Sequence, residues 1–477
     1  MELLLEAGAD VHATNTYSNT ALVEASSKRH ADALIVRNLL EAGAEIECAD
    51  MYGDTALMLA SYHGYTDAVK ILLEAGADVK SKNVRGNTAL IEASFRGNAA
   101  VVKVFIDAGF DIEAKSDTGN TPLIVASFQD NAAVVKILLE AGADIEAKNK
   151  SGDTPLIEAS SERLAVGQLL VKAGANMEAK NDVGDTALVK ASQKCHTRFF
   201  KFLLKVGADK EAKNNLGNTA LIEASQMSNV PIVSILLEAG ADMEAKNIHN
   251  STALIQASRR NCAAAVSFLL EEGADIEAKN DCGNTALIEA TRENNTAILK
   301  LLLDAGADIE AKNNRGNTAL IETMYSLQCR ALLMIKFRNG GGVEAGRNHN
   351  NTGFRETSGI CHHPCVLCLL LDAGADMEAT NNDNSTALIQ ASCENHVPAV
   401  RILLEAGANV EARSINGSTP LIWASMKGHA TMVELLVRAG ANKYAKTMDE
   451  GRTALDYADE KGHANVITLL CEGALNA

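Results

Sequence analysis

Asn83-Val84-Arg85-Gly86-Asn87-Thr88-Ala89-Leu90-Ile91-Glu92-Ala93-Ser94-Phe95-Arg96-Gly97-Asn98 is the stretch on which the fold turns. Its opening is a turn, with Gly86 where the backbone needs a left-handed conformation. Thr88 stands where a side-chain oxygen caps a helix beginning at Ala89, and the aliphatic Ala-Leu-Ile that follows makes about two helical turns. Arg96-Gly97-Asn98 breaks that helix. A second helix is predicted from Ala99 to Ala108, with Gly109 placed just past its end. Beyond it, Asp111-Ile112-Glu113-Ala114-Lys115 alternates as an extended hairpin arm does.

The same pattern recurs in both directions along the 477 residues. Thr-Ala-Leu or Thr-Pro-Leu begins at Thr20, Thr55, Thr88, Thr121, Thr154, Thr186, Thr219, Thr252, Thr285, Thr318, Thr386, Thr419 and Thr453. The gaps are 32–35 residues, except for one of 68 whose midpoint falls at Thr352. Thirteen clear units and one decayed unit are therefore expected. The slot two residues before the Thr is Gly in most units, Asn at Asn250, Asn350 and Asn384, and Ser18 in one. Gly and Asn are the residues that best tolerate positive φ. One helix pair cannot bury its apolar faces alone, whereas stacked copies share a continuous core.

The period of about 33 residues, the G-x-T-[AP]-L opening and the Leu-Leu-x-Ala-Gly-Ala-Asp close resemble the ankyrin repeat family over essentially the whole chain. That resemblance implies an all-α ankyrin-repeat solenoid, a curved superhelix of stacked helix-turn-helix pairs joined by β-hairpin turns, whose short first helices line a concave surface. The chain departs from the family pattern after Thr-Pro-Leu, where Val23, Met58, Ile91 and Ile124 stand in place of His. Gly-His between helices survives at Gly428-His429 and Gly462-His463. With no linker rich in Pro or Ser, residues 1–477 read as a single array: a partial repeat at 1–19, regular repeats at 20–337, a degenerate or inserted region at 338–364, regular repeats at 365–452 and a capping repeat at 453–477. Hydrogen exchange is expected to be fastest at 1–19 and 338–364.

Composition narrows the function. Lys and Arg number 44 against 61 Asp and Glu, a net charge of −17, which disfavours nucleic acid and anionic membrane surfaces. No apolar run approaches the roughly 20 residues of a membrane span, so membrane insertion is not expected. Ten cysteines at irregular spacing do not form a disulfide framework, which points to an intracellular chain, cytoplasmic or nuclear. No phosphate loop, G-x-S-x-G or H-E-x-x-H is present, and no catalytic residue, cofactor or metal is expected. The one cluster of metal-ligand types, Cys361-His362-His363-Pro364-Cys365-Val366-Leu367-Cys368, lacks a second ligand pair at zinc-finger spacing and reads instead as a loop and helix start.

Several columns run along the array. Glu24, Glu92, Glu158, Glu223, Glu289, Glu322 and Glu356 lie four residues after the Thr; the favoured reading is a solvated helix face with i,i+4 pairs such as Glu92–Arg96, against an acidic stripe for basic peptides. Glu113 and Lys115 begin two further columns read as a mutually neutralised, solvated edge. Tyr62, Phe95 and Phe128 lie seven residues after the Thr in three successive units. With Tyr52, His63 and Arg96 they form either a binding strip, aromatics and Arg being the residues of interface hot spots, or packing over the inter-helix loop. Arg259, Arg260, Arg292 and Tyr325 make a second candidate, and Trp423 and Met426 a third.

The implied function is a non-catalytic scaffold or adaptor, a monomer that binds basic or apolar segments of other proteins on the concave groove and hairpin tips. The alternative is an ankyrin-repeat part of a larger enzyme, channel or ubiquitin-ligase adaptor, since the chain opens inside a second helix at Glu2–Gly8.

Overall fold

The computed structural model describes residues 8–27, 33–159, 164–194, 196–325 and 365–472. The expected softening at 338–364, the Thr352 unit and most of the partial repeat at 1–19 lie outside them. Every described helix belongs to a two-helix unit, and no regular strand forms among the described residues. The hairpin arms are irregular, with one isolated bridge between Ala49 and Thr55. The contacts divide the chain into two compact bodies, Met1–Ala224 with Pro231–Asp242, and Ser225–Val230 with Met243–Ala477.

In the first body, the unit quoted above folds as a first helix Ala89–Arg96 and a second helix Ala99–Asp107. Thr88 Oγ1 accepts from the Ile91 N–H at 3.5 Å, and the same Thr cap recurs at Thr55, Thr121, Thr154 and Thr186. The turn slot adopts positive φ whichever residue fills it: 71° at Gly86 and 61° at Ser18 here, 54° at Asn250 and 53° at Asn384 in the second body. Leu90, Ile91 and Ala93 from the first helix and Val101, Val102 and Phe105 from the second are all nearly solvent-free, so each pair buries both helices against its neighbours. Burying side chains of that size contributes roughly 1.5–3 kcal/mol each.

Three hydrogen-bonded ladders lock successive units in register. One joins hairpin tips by backbone: Val84 N–H donates to Tyr52 O, Asp117 N–H to Arg85 O and Lys150 N–H to Thr118 O. A second uses the Glu and Lys columns, whose side chains also bond to main chain. Each reaches the backbone of the next unit: Glu113 accepts from the Asp144 N–H at 2.8 Å, and Lys82 Nζ donates to Lys115 O at 2.7 Å. The third lies beside the first helices. Asn83 Nδ2 donates both to Asp54 Oδ1 of the preceding unit (2.7 Å) and to Glu92 Oε1 of its own (2.9 Å), while Asn87 Nδ2 donates to the same Glu92 oxygen at 2.8 Å.

That third ladder overturns the solvated reading of the Glu column. Glu92 is only 6% exposed, and Glu223, Glu289 and Glu322 are equally buried. Each accepts from asparagine amides of its own hairpin, as Glu322 does from Asn313 at 2.7 Å and Asn317 at 3.1 Å. Glu24 and Glu158 are half-buried and Glu356 lies outside the described residues, but the four buried members are hydrogen-bonded carboxylates, as a charge inside a protein must be.

In the second body the stack passes across the long gap. Asn382 N–H donates to Arg315 O, Asp376 N–H to Glu310 Oε1 at 2.7 Å and Lys312 Nζ to Thr380 O at 2.6 Å. The first helix Ala319–Glu322 packs against the second helix Val366–Asp372. Among the described residues the hairpin before Thr318 thus adjoins the one before Thr386. The last unit opens with a reciprocal capping box, Asp456 Oδ2 accepting from the Thr453 N–H at 2.8 Å, and its first helix presents Asp456, Asp459 and Glu460 to solvent.

Candidate functional site

The column seven residues after the Thr sits at the last turn of each first helix, where the chain bends toward the second. In Ala56–His63 and Ala89–Arg96 the helix is closed by a left-handed glycine, Gly64 and Gly97, with φ of 79° and 77°. The side chain of the next unit's asparagine approaches these glycines so closely that a Cβ at Gly64 would lie 2.8 Å from Asn98 Oδ1, and one at Gly97 2.7 Å from Asn131 Oδ1. Asn98 Nδ2 donates to Ser61 O and Tyr62 O, both at 2.8 Å, and Asn131 Nδ2 to Ser94 O at 2.8 Å and Phe95 O at 3.0 Å. The carbonyls of the aromatic residues themselves are therefore the anchor points. This asparagine does the work that His429 and His463 do near the end of the chain, donating through Nε2 to Cys393 O and Met426 O at 3.2 Å.

Held in this way, Tyr62, His63 and Arg96 come together. The Arg96 guanidinium lies over the Tyr62 ring, 4.7 Å from its centroid, rather than against Glu92. Tyr62 meets His63 edge-on at 5.1 Å, and His63 stacks on Tyr65 at 5.6 Å. Partial burial and the Arg96 charge together hold the His63 imidazole below its usual pKa. Phe95 and Phe128 are 37% and 55% exposed, whereas the neighbouring Ile91 and Ile124 are fully buried. These rings therefore face outward and are not core.

Tyr52 stands on the hairpin tip, 56% exposed, with Met51 and Val84 exposed beside it. Sequence reading missed Met51 and Val84, and also Tyr65. A signal was present for the first two: the position four before the Thr is Asp117, Lys150, Asp182 and Asn215 in the following units, so an apolar residue there departs from the pattern.

The second candidate group divides. Arg259 and Arg260 are exposed at the end of Ala253–Arg259. Arg292 is also exposed but pairs with buried carboxylates, 3.5 Å from Glu289 and 4.0 Å from Glu322, and Tyr325 is 37% exposed. Of the third, Trp423 is half-buried and its Nε1 donates to Ser414 Oγ at 3.4 Å, occupying the position Glu92 holds in its own unit. Met426 is half-buried, and its carbonyl is engaged by His463.

Among the described residues no group of three His, Cys, Asp or Glu side chains is arranged to hold a metal ion, and no helix is long and apolar enough to cross a membrane. Cys361, His362 and His363 lie outside the described residues.

A chain of repeated helix pairs, each stabilised by the next and displaying its variable residues at tips and helix ends, is a repeat protein of the kind that binds other proteins. It belongs to the ankyrin-repeat family: the family model for ankyrin repeats matches residues 1–83, 80–149, 156–247, 245–313, 358–447 and 407–476. Among solved structures it is similar to the ankyrin repeat domain of Bcl-3, described as a unique member of the IkappaB protein family, at 28% identity over 54% of this chain and 99% of that one, with a TM-score of 0.42. No curated protein sequence matches the chain.

Proposed function

We propose that the chain is a non-catalytic scaffold that captures apolar and basic segments of partner proteins on the first-helix ends and hairpin tips of its first body. The single observation that carries this reading is the strip of exposed Tyr52, Phe95 and Phe128 beside half-buried Tyr62, with Arg96 stacked on Tyr62 and the backbone at Tyr62 and Phe95 fixed by Asn98 and Asn131. Side chains on a backbone already fixed cost less to order when a partner covers them. The net charge of −17 favours partners of opposite sign. Arg259 and Arg260 form a separate, smaller contact in the second body.

The test is selection of binding peptides from a random displayed library with the intact chain, repeated with the double variant Phe95→Ala and Phe128→Ala. Selected peptides should lose at least about tenfold in affinity, two hot-spot rings being worth more than 1 kcal/mol together. The thermal transition should move little, since exposed side chains contribute within about 0.5 kcal/mol. Unchanged peptide affinity, or a large loss of stability, would overturn the proposal.

A further inference from the structure

The second helix Val366–Asp372 differs from its siblings. Where Ala263–Glu271 and Ala99–Asp107 have nine residues, this one has seven and opens two residues later, at Cys365. The siblings' N-caps have ψ near 70°, and their side chains make no cap bond, as at Asn98 and Cys262. Cys365 has ψ of 159°, and its Sγ accepts from the Cys368 N–H at 3.3 Å. The two sulfurs lie 3.0 Å apart, closer than ordinary non-bonded contact. Packing does not explain the cysteines: Val366, Leu367 and Leu370 bury the helix, while Cys365 and Cys368 are both half-exposed. Aligned on the helix ends, they match Ala264 and Ser267 of the sibling, an exposed and a half-exposed position.

We propose that Cys365 and Cys368 form a reactive dithiol that closes reversibly to a disulfide by exchange with a small disulfide such as oxidised glutathione. A thiolate is the attacking species, and Cys365 Sγ, half-exposed at the helix start, is the sulfur open to the disulfide. Its sulfur attacks one sulfur of the glutathione disulfide, and the expelled glutathione thiolate takes up the proton released. Cys368, already in contact, loses its proton and attacks the Cys365 sulfur of the mixed disulfide, expelling the second glutathione. Two protein thiols and one oxidised glutathione thus become one protein disulfide and two reduced glutathiones. The protein is oxidised by two electrons and the glutathione disulfide is reduced by the same two.

The experiment equilibrates the full chain with glutathione at rising ratios of oxidised to reduced form, quenches with N-ethylmaleimide, and locates the modifications by tandem mass spectrometry. The expected result is a peptide in which Cys365 and Cys368 together lack two hydrogens and carry no label, in the native chain and equally in Cys361→Ser. In Cys368→Ser the remaining thiol should carry a single glutathione instead. The proposal is overturned if both sulfurs are labelled independently at every ratio, if glutathione accumulates on each, or if the link runs to Cys361. Cys365→Ser, in which no link should form, puts a hydroxyl oxygen in place of the capping sulfur, and serine is a favoured cap. If that variant nevertheless fails to fold, titration of the unmodified protein with phenylarsine oxide, which spans two adjacent thiols and releases water, decides the matter. Retention of the arsenical against excess monothiol supports the proposal, and its loss refutes it.

Discussion

Replacing Glu92 by Ala tests whether the buried carboxylate row holds the array together. Glu92 Oε1 receives amide N–H groups from Asn83 at 2.9 Å and Asn87 at 2.8 Å inside a side-chain environment that is almost dry. Removing the carboxylate leaves both donors without that acceptor, at about 1–3 kcal/mol for each buried group. Asn83 is buried, but Asn87 is half-buried and water reaches it, so the sum is discounted to about 2–4 kcal/mol. Glu92→Gln keeps a carbonyl oxygen in place and should cost only about 1 kcal/mol, the difference between a charged and a neutral acceptor. A single global unfolding energy is poorly defined for a long repeat array, so the assay is native-state hydrogen exchange read by mass spectrometry. At about 1.4 kcal/mol per decade, exchange in residues 83–96 should accelerate roughly 30- to 700-fold. The effect should reach the hairpin at 50–55, because Asn83 also holds Asp54, and should fade by residues 243–325, because repeats couple to their nearest neighbours. Exchange within about twofold of wild type at 83–96, where 1.4 kcal/mol would already be tenfold, would refute the argument.

Gly167 lies in the second helix Ala165–Lys172, and a Cβ there would sit 2.4 Å from Phe199 Cε2. Gly167→Ala should therefore cost about 1–3 kcal/mol by overpacking, and Phe199→Leu in the same chain should recover part of it; a stabilising Gly167→Ala in urea denaturation would contradict the packing. Burial pushes the carboxyls of Asp54, Glu158 and Asp185 above their usual range, with Asp153 adding to the effect at Glu158. Folded protein then holds more protons than unfolded protein, so these groups destabilise it fully above their raised values and progressively less as pH falls toward the ordinary carboxylate range. Unfolding midpoints should show a smaller stabilisation on acidification in Asp54→Asn with Glu158→Gln than in wild type; equal slopes in both proteins would remove this account. His63 runs the other way, since its lowered pKa means stability fully present above the usual imidazole value and lost as pH falls through the folded one. Exchanging His63 for Gln should flatten that contribution alone, as read from the same midpoints.

Much of this molecule was legible because its decisive signals are local and repeated. A Thr before two helical turns, a left-handed slot two residues earlier and a Gly after each second helix depend only on backbone preferences within a few residues. Even the exchange of Gly for Asn250 or Ser18 was readable, since it preserves the sign of φ. The outward aromatic strip was only half legible. Its column and its members were visible, but whether Phe95 faced the core or solvent depends on how the next unit docks.

Register between units is the quantity that one strand of text does not contain. Helical periodicity placed Glu92 on a face of its helix, but only the stacked fold brings Asn83 and Asn87 over that face and makes it an interior. The same holds for Lys82 and Glu113, each of which bonds to a backbone group of the following unit. Repeat length, element order and caps follow from the sequence by itself, because they are settled by torsional preference and side chains a few residues apart. Burial and the carboxylate ladder were decided by tertiary structure, because each depends on which side chains the completed stack brings within hydrogen-bond or van der Waals distance.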